Sequence, residues 1–358
     1  MKRVALLGAT GSIGTQAAEI VTAHSGLELC GLMSGHSSLE ALAVAHGVRH
    51  TQVGGDPTDL LERCEPDIVL NAIVGFAGVR ATLWALENGI ALALANKESL
   101  VAAGSLAMHA AARGGGLLIP VDSEHSALFQ CLEGRDPATV HSLVLTASGG
   151  PFRGRALETL ASVTPDDALA HPTWRMGRKI TVDSATLANK GLELIEAHWL
   201  FGMPFDAIEV VVHPSSVVHG LVRLRDGAAL AHVGYPDMRV PISFALTYPD
   251  RGSTTVPPLD LAAGLTLAFE APDLDAFPLL PLAREAGVRG GTYPCAYNAA
   301  NEIGVAAFLD GRIGFLDIVS IVEETLAEVD GAPARDVDEL VAADTEARRI
   351  AERGHVHA

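Results

Sequence analysis

The strongest constraint on the fold is the amino-terminal segment, in which a short apolar run leads through a glycine-rich turn into a helical pattern. Residues 3–7 are typical of a strand, GATGSIG follows at positions 8–14, and helical periodicity continues to about residue 23. Glycines permit a tight turn and close approach of the backbone, so that the helix N-terminus faces a pyrophosphate. The spacing is GxxGxxG rather than GxGxxG, and such a pattern is weak evidence alone. Its position directly behind a strand predicts a dinucleotide-binding βα unit.

Strand patterns then alternate with helical ones, which indicates a parallel, doubly wound sheet. The further strands of this sheet are predicted at 27–33, 51–53, 67–73, 90–95 and 117–121. Later strands are predicted at 141–147, 208–212, 217–224 and 228–233. Asp226-Gly227 joins the last two and is a strong hairpin signal, so the second region adds antiparallel strands.

Helical patterns close the chain and predict a small helical region. They lie near 278–286, 296–309, 316–329 and 336–352. We therefore predict an α/β protein of several domains. These are an N-terminal Rossmann-like doubly wound domain (1–121), an α+β catalytic domain (122–247) with a lid loop (149–180), a linker (248–273) and a small all-α C-terminal domain (274–358).

Length and charge restrict the function. The 358 residues exceed what one core usually supports. Lys plus Arg number 25 against 43 Asp plus Glu, and the net charge of −18 disfavours nucleic acid and anionic membranes as partners.

The four cysteines are far apart and form no CxxC motif, which favours isolated thiols in a reducing compartment. We predict a soluble cytoplasmic protein.

The end of the second strand bears on cofactor choice. An NAD enzyme carries an acid here for the ribose hydroxyls, whereas this chain has Ser34-Gly35-His36-Ser37. A carboxylate here would repel the 2′-phosphate that distinguishes NADP from NAD. Its absence therefore favours NADP as the cofactor. His36 can add positive charge when protonated, or it can be an exposed loop histidine without a role.

Polar residues also follow two later strands of the predicted sheet. Lys97 comes after the fifth strand, at the edge where such sheets bind ligands, although the segment can also be a simple strand-end turn. Asp122 and Glu124 come after the sixth, and in an extended segment residues i and i+2 point to the same side. Two such carboxylates suit a hard cation, Mg²⁺ or Mn²⁺. The alternative, a solvated helix N-terminus where acids are favourable anyway, stays equally open.

The stretch 171–197, HPTWRMGRKITVDSATLANKGLELIEA, concentrates functional side chains. Its second half has helical periodicity, with Glu193 at the margin of the apolar stripe and Asn189 one turn before it on the same face. Asp183-Ser184 is predicted to cap a helix N-terminus and Gly191 to break the helix.

A phosphate site is one interpretation of this stretch. Ser184, Asn189 and Lys190 supply the hydroxyl, amide and ammonium groups that suit a phosphate near helix N–H groups. A capped surface helix with solvated polar residues is the other. The preceding residues, 152–180, lack periodicity and follow a turn at Gly149-Gly150-Pro151, which predicts a lid.

Taken together, the motifs resemble one family over essentially the full length. They are GATGSIG, NAIVGFAG, ANKESLV, PVDSEH, ASGGPF, the stretch 171–197, HPSSVVHG and YPDMRVPI. Their order and spacing are similar to those of the 1-deoxy-D-xylulose 5-phosphate reductoisomerases. The resemblance implies an NADPH-dependent oxidoreductase of non-mevalonate isoprenoid biosynthesis, a homodimer that uses Mg²⁺ or Mn²⁺ and acts on a sugar phosphate.

The resemblance also implies roles for individual residues. The implied metal ligands are Asp122, Glu124 and Glu193. The implied catalytic residues are Lys97, Ser123, Glu124 and His171. Substrate contacts are implied for Lys97, Ser123, Ser148, His171, Trp174, Met176, Ser184, Asn189 and Lys190. Cofactor contacts are implied for Thr10, Gly11, Ser12, Ile13, Gly35, Asn96, Glu98 and Gly177.

One departure concerns the cofactor: many members carry a basic residue and Asn after the glycine, whereas this chain has His36 and Ser37. Rival interpretations are a simple sugar-phosphate or homoserine-type dehydrogenase, which needs no three-acid metal set, and a non-catalytic NADP-binding sensor. The presence in one chain of both the glycine-rich turn GATGSIG and the predicted metal and phosphate residues favours the reductoisomerase.

Overall fold

A computed structural model describes residues 1–354 and divides the chain into two compact units. The first comprises Met1–Leu100, Gly104–Phe129 and Asp237–Leu259, and the second comprises the remaining segments, Val101–Ala103, Gln130–Pro236 and the chain from Asp260. The strands are β1 (Lys2–Leu7), β2 (Leu27–Ser34), β3 (His50–Val53), β4 (Ile68–Asn71), β5 (Ala91–Leu94), β6 (Leu118–Pro120), β7 (Val140–Ala147), β8 (Ile208–Val212), β9 (Val218–Leu224) and β10 (Ala229–Val233). The helices are α1 (Ser12–Ala23), α2 (Glu40–His46), α3 (Pro57–Cys64), α4 (Val79–Glu87), α5 (Glu98–Gly114), α6 (Ser123–Leu132), α7 (Leu157–Leu160), α8 (Pro165–Leu169), α9 (Arg178–Ala185), α10 (Ala188–Phe201), α11 (Arg239–Thr247), α12 (Leu279–Arg289), α13 (Tyr293–Leu309), α14 (Asp317–Glu328) and α15 (Val337–Gly354).

The first unit is built on a six-stranded parallel sheet with the order β3-β2-β1-β4-β5-β6. This order reverses direction between β1 and β4, and open α/β sheets bind ligands outside the strand ends at such a point. The strands are apolar because helices cover both faces of a parallel sheet. Helix α11 also belongs to this unit: Ile242 and Leu246 are fully buried in the same core as Val4 and Leu6.

The second unit contains a four-stranded mixed sheet with the order β10-β9-β7-β8. Strands β9 and β10 form the hairpin expected at Asp226-Gly227, β7 pairs antiparallel with β9, and β7 pairs parallel with β8. Helix α10 packs on α12, and α13 packs on α9, α14 and α15. The carboxyl-terminal helices therefore support the segment that carries the polar residues of the stretch 171–197.

The predicted fold class is confirmed, and each predicted strand has a counterpart displaced by at most two residues at either end. The two compact units group residues differently from the domains predicted by sequence, since 237–259 belong with the first unit. The three-domain division stays a prediction. Within residues 1–354, the helices all lack the combined length and apolar character needed to cross a bilayer.

Candidate active site

The glycine turn after β1 brings two stretches of backbone into contact. Gly8 has φ +81°, and a Cβ there would lie 2.4 Å from the carbonyl oxygen of Ala72. A Cβ on Gly14 would lie 2.3 Å from the carbonyl oxygen of Gly8. Gly11 occupies the N-cap position of α1, and it is exposed together with Thr10 and Ser12. The start of α1 is thus exposed, and the role of its first N–H groups in binding an anion stays a prediction.

The turn after β2 carries no acid. Ser34 is buried and its hydroxyl donates to the carbonyl oxygen of Ser37. Gly35 and His36 are exposed. This turn therefore presents no carboxylate to a bound nucleotide.

Asn96 has a structural role. Its side chain is buried and its amide donates to the carbonyl oxygens of Ile73 (2.6 Å) and Gly75 (2.8 Å). The amide nitrogen also lies 3.1 Å from a carboxylate oxygen of Glu98. Asn96 thus ties the loop after β5 to the loop after β4, and its role as a cofactor contact stays a prediction.

The two acids after β6 do not lie on an extended segment. Helix α6 begins at Ser123, so Glu124 is in its first turn, and the predicted extended conformation of this segment was wrong. Asp122 accepts from the backbone N–H of Glu124 at 3.1 Å, as a capping residue does. Its other oxygen lies 2.6 Å from Nζ of Lys97, and both side chains are almost fully buried. Asp122 therefore does more than cap a helix, because it also orients the ammonium of Lys97.

Sequence reasoning missed His125. This histidine is fully buried, and its Nδ1 lies 3.1 Å from the same oxygen of Asp122 that caps α6. In the sequence, the contact of His125 with Asp122 is indicated only by the position of the histidine directly after the two acids, three residues from Asp122, a spacing that brings side chains together in a helix. On the other side, the hydroxyl of Ser123 donates to a carboxylate oxygen of Glu124.

Two local predictions for the stretch 171–197 were wrong. Asp183 and Ser184 lie in the last turn of α9 rather than at a helix N-cap, and the chain turns into α10 through Leu187, whose φ is +59°. Gly191 does not interrupt α10. A Cβ there would lie 2.5 Å from Cβ of Ala283, so glycine is required by close helix packing instead.

The polar face of α10 is confirmed. Glu193 is 1% exposed and Lys190 is 4% exposed. The carboxylate of Glu193 accepts from the amide of Asn189 and from the ammonium of Lys190, each at 2.5 Å. Glu193, a predicted metal ligand, thus binds Asn189 and Lys190, which are predicted to bind phosphate. The three side chains meet because they project from adjacent turns of one helix.

His171 is held in one tautomer. Its Nδ1 accepts from the backbone N–H groups of Thr173 (3.1 Å) and Trp174 (2.9 Å), so the ring proton must be on Nε2. Nε2 then donates to Oγ of Ser148 at 2.9 Å. Burial lowers the pKa of His171, which favours this neutral form. Since Ser148 also accepts from the N–H of Gly150, its own hydroxyl proton remains available to a ligand.

The predicted lid residues are partly covered. Trp174, Met176 and Ser184 are half-buried, and Gly177 is exposed. A Cβ on Gly150 would lie 2.6 Å from the carbonyl oxygen of Ser184, so the glycine turn packs against α9. Trp174 is therefore neither freely exposed nor a core residue, and its mobility stays a prediction.

His219 gives a testable pH dependence. It is 6% exposed, and burial, reinforced by the nearby charges of His232 and His213, lowers its pKa from 6.5 to about 4. As the pH falls through 6.5, the His219 imidazole of the unfolded protein binds a proton, whereas that of the folded protein stays neutral until about pH 4. The free energy of unfolding is therefore highest above pH 6.5 and falls toward pH 4. We expect the free energy of unfolding to fall by up to about 3 kcal/mol across this window. Denaturant titrations of wild type and His219→Asn from pH 7 to 4 check it, and equal pH slopes would contradict it.

Comparison with known proteins then identifies the family. Family models described as 1-deoxy-D-xylulose 5-phosphate reductoisomerase match residues 4–56 and 49–104, and models of its C-terminal domains match residues 118–201 and 233–350. A protein of that name from Ralstonia nicotianae is 48% identical, with 98% of each chain covered. Another from Leifsonia xyli is 54% identical, with 91% of each chain covered. The chain belongs to the 1-deoxy-D-xylulose 5-phosphate reductoisomerase family.

Solved reductoisomerase structures agree over the whole chain. The reductoisomerase from Zymomonas mobilis in complex with NADPH superposes with a TM-score of 0.90 at 40% identity and full coverage of both chains. A DOX-P reductoisomerase in complex with NADPH, fosmidomycin and magnesium superposes with a TM-score of 0.93 at 38% identity, with 99% and 98% covered.

The two units of the chain carry different parts of the predicted site. The first unit holds Thr10, Gly11, Ser12, Ile13, Gly35, Asn96, Lys97, Glu98, Asp122, Ser123 and Glu124. The second holds Ser148, His171, Trp174, Met176, Gly177, Ser184, Asn189, Lys190 and Glu193. The residues predicted to bind the nucleotide thus belong mainly to one unit, and those predicted to bind the phosphate belong to the other.

Proposed function

We propose that this protein converts 1-deoxy-D-xylulose 5-phosphate into 2-C-methyl-D-erythritol 4-phosphate, with NADPH as reductant and a divalent cation, in isoprenoid biosynthesis. One observation carries the proposal: a chain of this family keeps both an open glycine turn at a helix N-terminus and the Asn189, Lys190 and Glu193 set on α10. A simple dehydrogenase needs only the first. The direct test is NADPH oxidation by the purified protein on this substrate, with Mg²⁺ and with a chelator. Metal-independent oxidation would support the simple dehydrogenase instead.

The donor set fits a hard cation. We assign Asp122, Glu124 and Glu193 as the metal ligands, since carboxylate oxygens are the donors that Mg²⁺ and Mn²⁺ prefer. When bound, such a cation acts as a Lewis acid on the substrate's ketone and hydroxyl oxygens. Two of these carboxylates already face a cation in the structure, since Nζ of Lys97 lies 2.6 Å from Asp122 and Nζ of Lys190 lies 2.5 Å from Glu193.

The nucleotide and phosphate ends are held by backbone and side-chain donors. The first turn of α1 offers N–H groups to the pyrophosphate, and the bound NADPH supplies the hydride. Ser148, Ser184, Asn189 and Lys190 donate to the substrate phosphate. His171 fixes the rotamer of Ser148 through its Nε2 proton, which leaves the serine hydroxyl proton for the phosphate. Lys97 and Ser123 orient the reacting carbon chain.

Cofactor preference provides the next prediction. The turn at Gly35 lacks a carboxylate, so the 2′-phosphate of NADPH meets no repulsion there. We expect wild type to prefer NADPH and His36→Asp to lose most of that preference. The specificity constants for NADPH and NADH decide it. His36→Asn is the matched control, since it keeps the size without the charge. A wild-type preference for NADH would refute the assignment.

The lid proposal concerns Trp174. We expect ligand to order the segment around Trp174 and shield its indole, because closure excludes water from the reacting groups. In a Trp84→Phe/Trp199→Phe background, Trp174 is the sole indole. Its quencher accessibility should fall when a phosphonate substrate mimic binds with Mg²⁺ and NADPH. An indole equally shielded before and after binding would show that the segment is no lid.

A homodimer in the cytoplasm is the proposed assembly and location. The second unit exposes large apolar side chains in and after the edge strand β10, and also in the segment 261–269, which precedes Glu270, the bridge partner of Val212 in β8; exposed apolar side chains of this size are typical of interfaces. They are Val233, Tyr235, Leu261, Leu265, Leu267 and Phe269. The four cysteines are free, as suits a reducing compartment. Sedimentation of the protein against a Leu267→Lys/Phe269→Lys variant tests the dimer.

A further inference from the structure

A buried contact links the helix that carries Ser184 to the carboxyl-terminal helices. Asp183, in the last turn of α9, is 1% exposed, and Asn301, in the middle of α13, is fully buried. The amide of Asn301 donates to Oδ1 of Asp183 at 2.8 Å. The ammonium of Lys179 lies 2.9 Å from Oδ2 of the same carboxylate. Both oxygens of a buried acid are thus held by donors from two different helices.

A buried tyrosine lies on the same stretch of α13 as Asn301. Tyr297, one turn before Asn301, is fully buried, and burial together with the negative charge of Asp183 raises its pKa. Its hydroxyl donates to the carbonyl oxygen of Leu279 at 3.0 Å. A buried carboxylate requires charged or strong hydrogen-bond donors at fixed positions, so its partners determine where it lies.

The position of α9 sets the position of the phosphate residues. Ser184 follows Asp183 directly, and only three residues further on Leu187 turns the chain into α10, which begins with Ala188 and carries Asn189 and Lys190. The turn at Leu187 leaves little freedom between the two helices. A shift of α9 therefore moves the phosphate donors together.

We propose that Asn301 is a positioning residue for the phosphate end of the substrate, acting through Asp183 on the last turn of α9. This inference rests on the proposed function, which assigns the phosphate to Ser184, Asn189 and Lys190. It gives the carboxyl-terminal helices a part in substrate affinity, although none of their residues is assigned to the reaction.

The test compares Asn301→Leu with a matched control on the same helix. Asn298 is equally buried, but its amide donates to Glu302 at 2.9 Å and not to α9. Both leucine variants lose a buried amide and should lower the melting temperature. We expect only Asn301→Leu to raise KM for the sugar phosphate, roughly tenfold, since small misplacements of binding groups are costly. The KM for NADPH should not change in either variant.

A second arm keeps the proposal falsifiable if Asn301→Leu folds poorly. Asn301→Asp places two carboxylates together and should raise KM further, while Asp183→Asn in the same chain restores a donor–acceptor pair. We expect the double variant to recover much of the lost affinity, which a loss of general stability alone does not predict. An equal rise of KM in Asn298→Leu, or an unchanged KM in Asn301→Leu, would overturn the proposal.

Calorimetry with a phosphonate substrate mimic separates this inference from the proposed function, because it needs no turnover. Weaker phosphonate binding by Asn301→Leu in a protein that does not turn over deoxyxylulose phosphate would refute the reaction and leave the positioning role intact. Active enzyme whose phosphonate affinity is unchanged in Asn301→Leu would refute the positioning role alone.

Discussion

Glu193→Gln should reduce turnover by roughly a hundredfold to a thousandfold while NADPH binding is unchanged. A Lewis-acidic cation contributes several kcal/mol of transition-state stabilisation, and about 1.4 kcal/mol corresponds to a tenfold change in rate. The substitution keeps the volume of the side chain and an oxygen that can accept from Lys190, so the main loss is one negative charge. The metal concentration for half-maximal activity should rise in parallel.

The matched control for this prediction is Glu302→Gln. Glu302 also forms an ion pair, with Arg348 at 2.7 Å, but this pair is half-buried and joins α13 to α15. This variant should lower the melting temperature and leave turnover and metal affinity at wild-type values. Wild-type metal affinity and turnover in Glu193→Gln would show that Glu193 is no metal ligand.

Lys190→Met should raise KM for the sugar phosphate by roughly tenfold to a hundredfold, since a hydrogen bond between charged groups contributes about 1.5–3 kcal/mol. It should also destabilise the fold. Lys190 is 4% exposed, and breaking a buried ion pair costs about 3–5 kcal/mol because the remaining charge loses its partner.

A double variant separates the two effects of Lys190→Met. Adding Glu193→Gln removes the charge left behind, so the melting temperature should recover toward that of wild type. Affinity for a phosphonate mimic should stay weak, because the ammonium is still missing. Recovery of affinity together with stability would mean that Lys190 serves only to balance Glu193.

The fold was predictable from the sequence because its signals are local. Each strand of the parallel sheet is a short apolar run between turns, and the glycines at positions 8 and 14 are required by backbone contacts that a side chain would block. The polar face of α10 followed from helical spacing alone, which places Asn189 and Glu193 one turn apart. Spacing within one helix is a short-range property, and the sequence contains it in full.

The errors arose where distant segments decide the structure. Gly191 was interpreted as a helix breaker because its packing partner, Ala283, is about ninety residues away in the chain. Asp183 resembles an N-cap locally, yet it is buried against Asn301, on a helix that no local pattern connects with α9. The buried ion pair of Lys97 with Asp122 was missed for the same reason. Tertiary contacts of this kind override local propensity.

The proposed reaction couples rearrangement of a carbon skeleton to reduction in one protein. The most direct measurement is NMR of the product formed from ¹³C-labelled 1-deoxy-D-xylulose 5-phosphate with NADPH and Mg²⁺. We expect one equivalent of the branched product, 2-C-methyl-D-erythritol 4-phosphate, for each NADPH oxidised, and none when the metal is chelated. An unbranched reduced sugar phosphate, or NADPH oxidation with the carbon skeleton unchanged, would contradict the account.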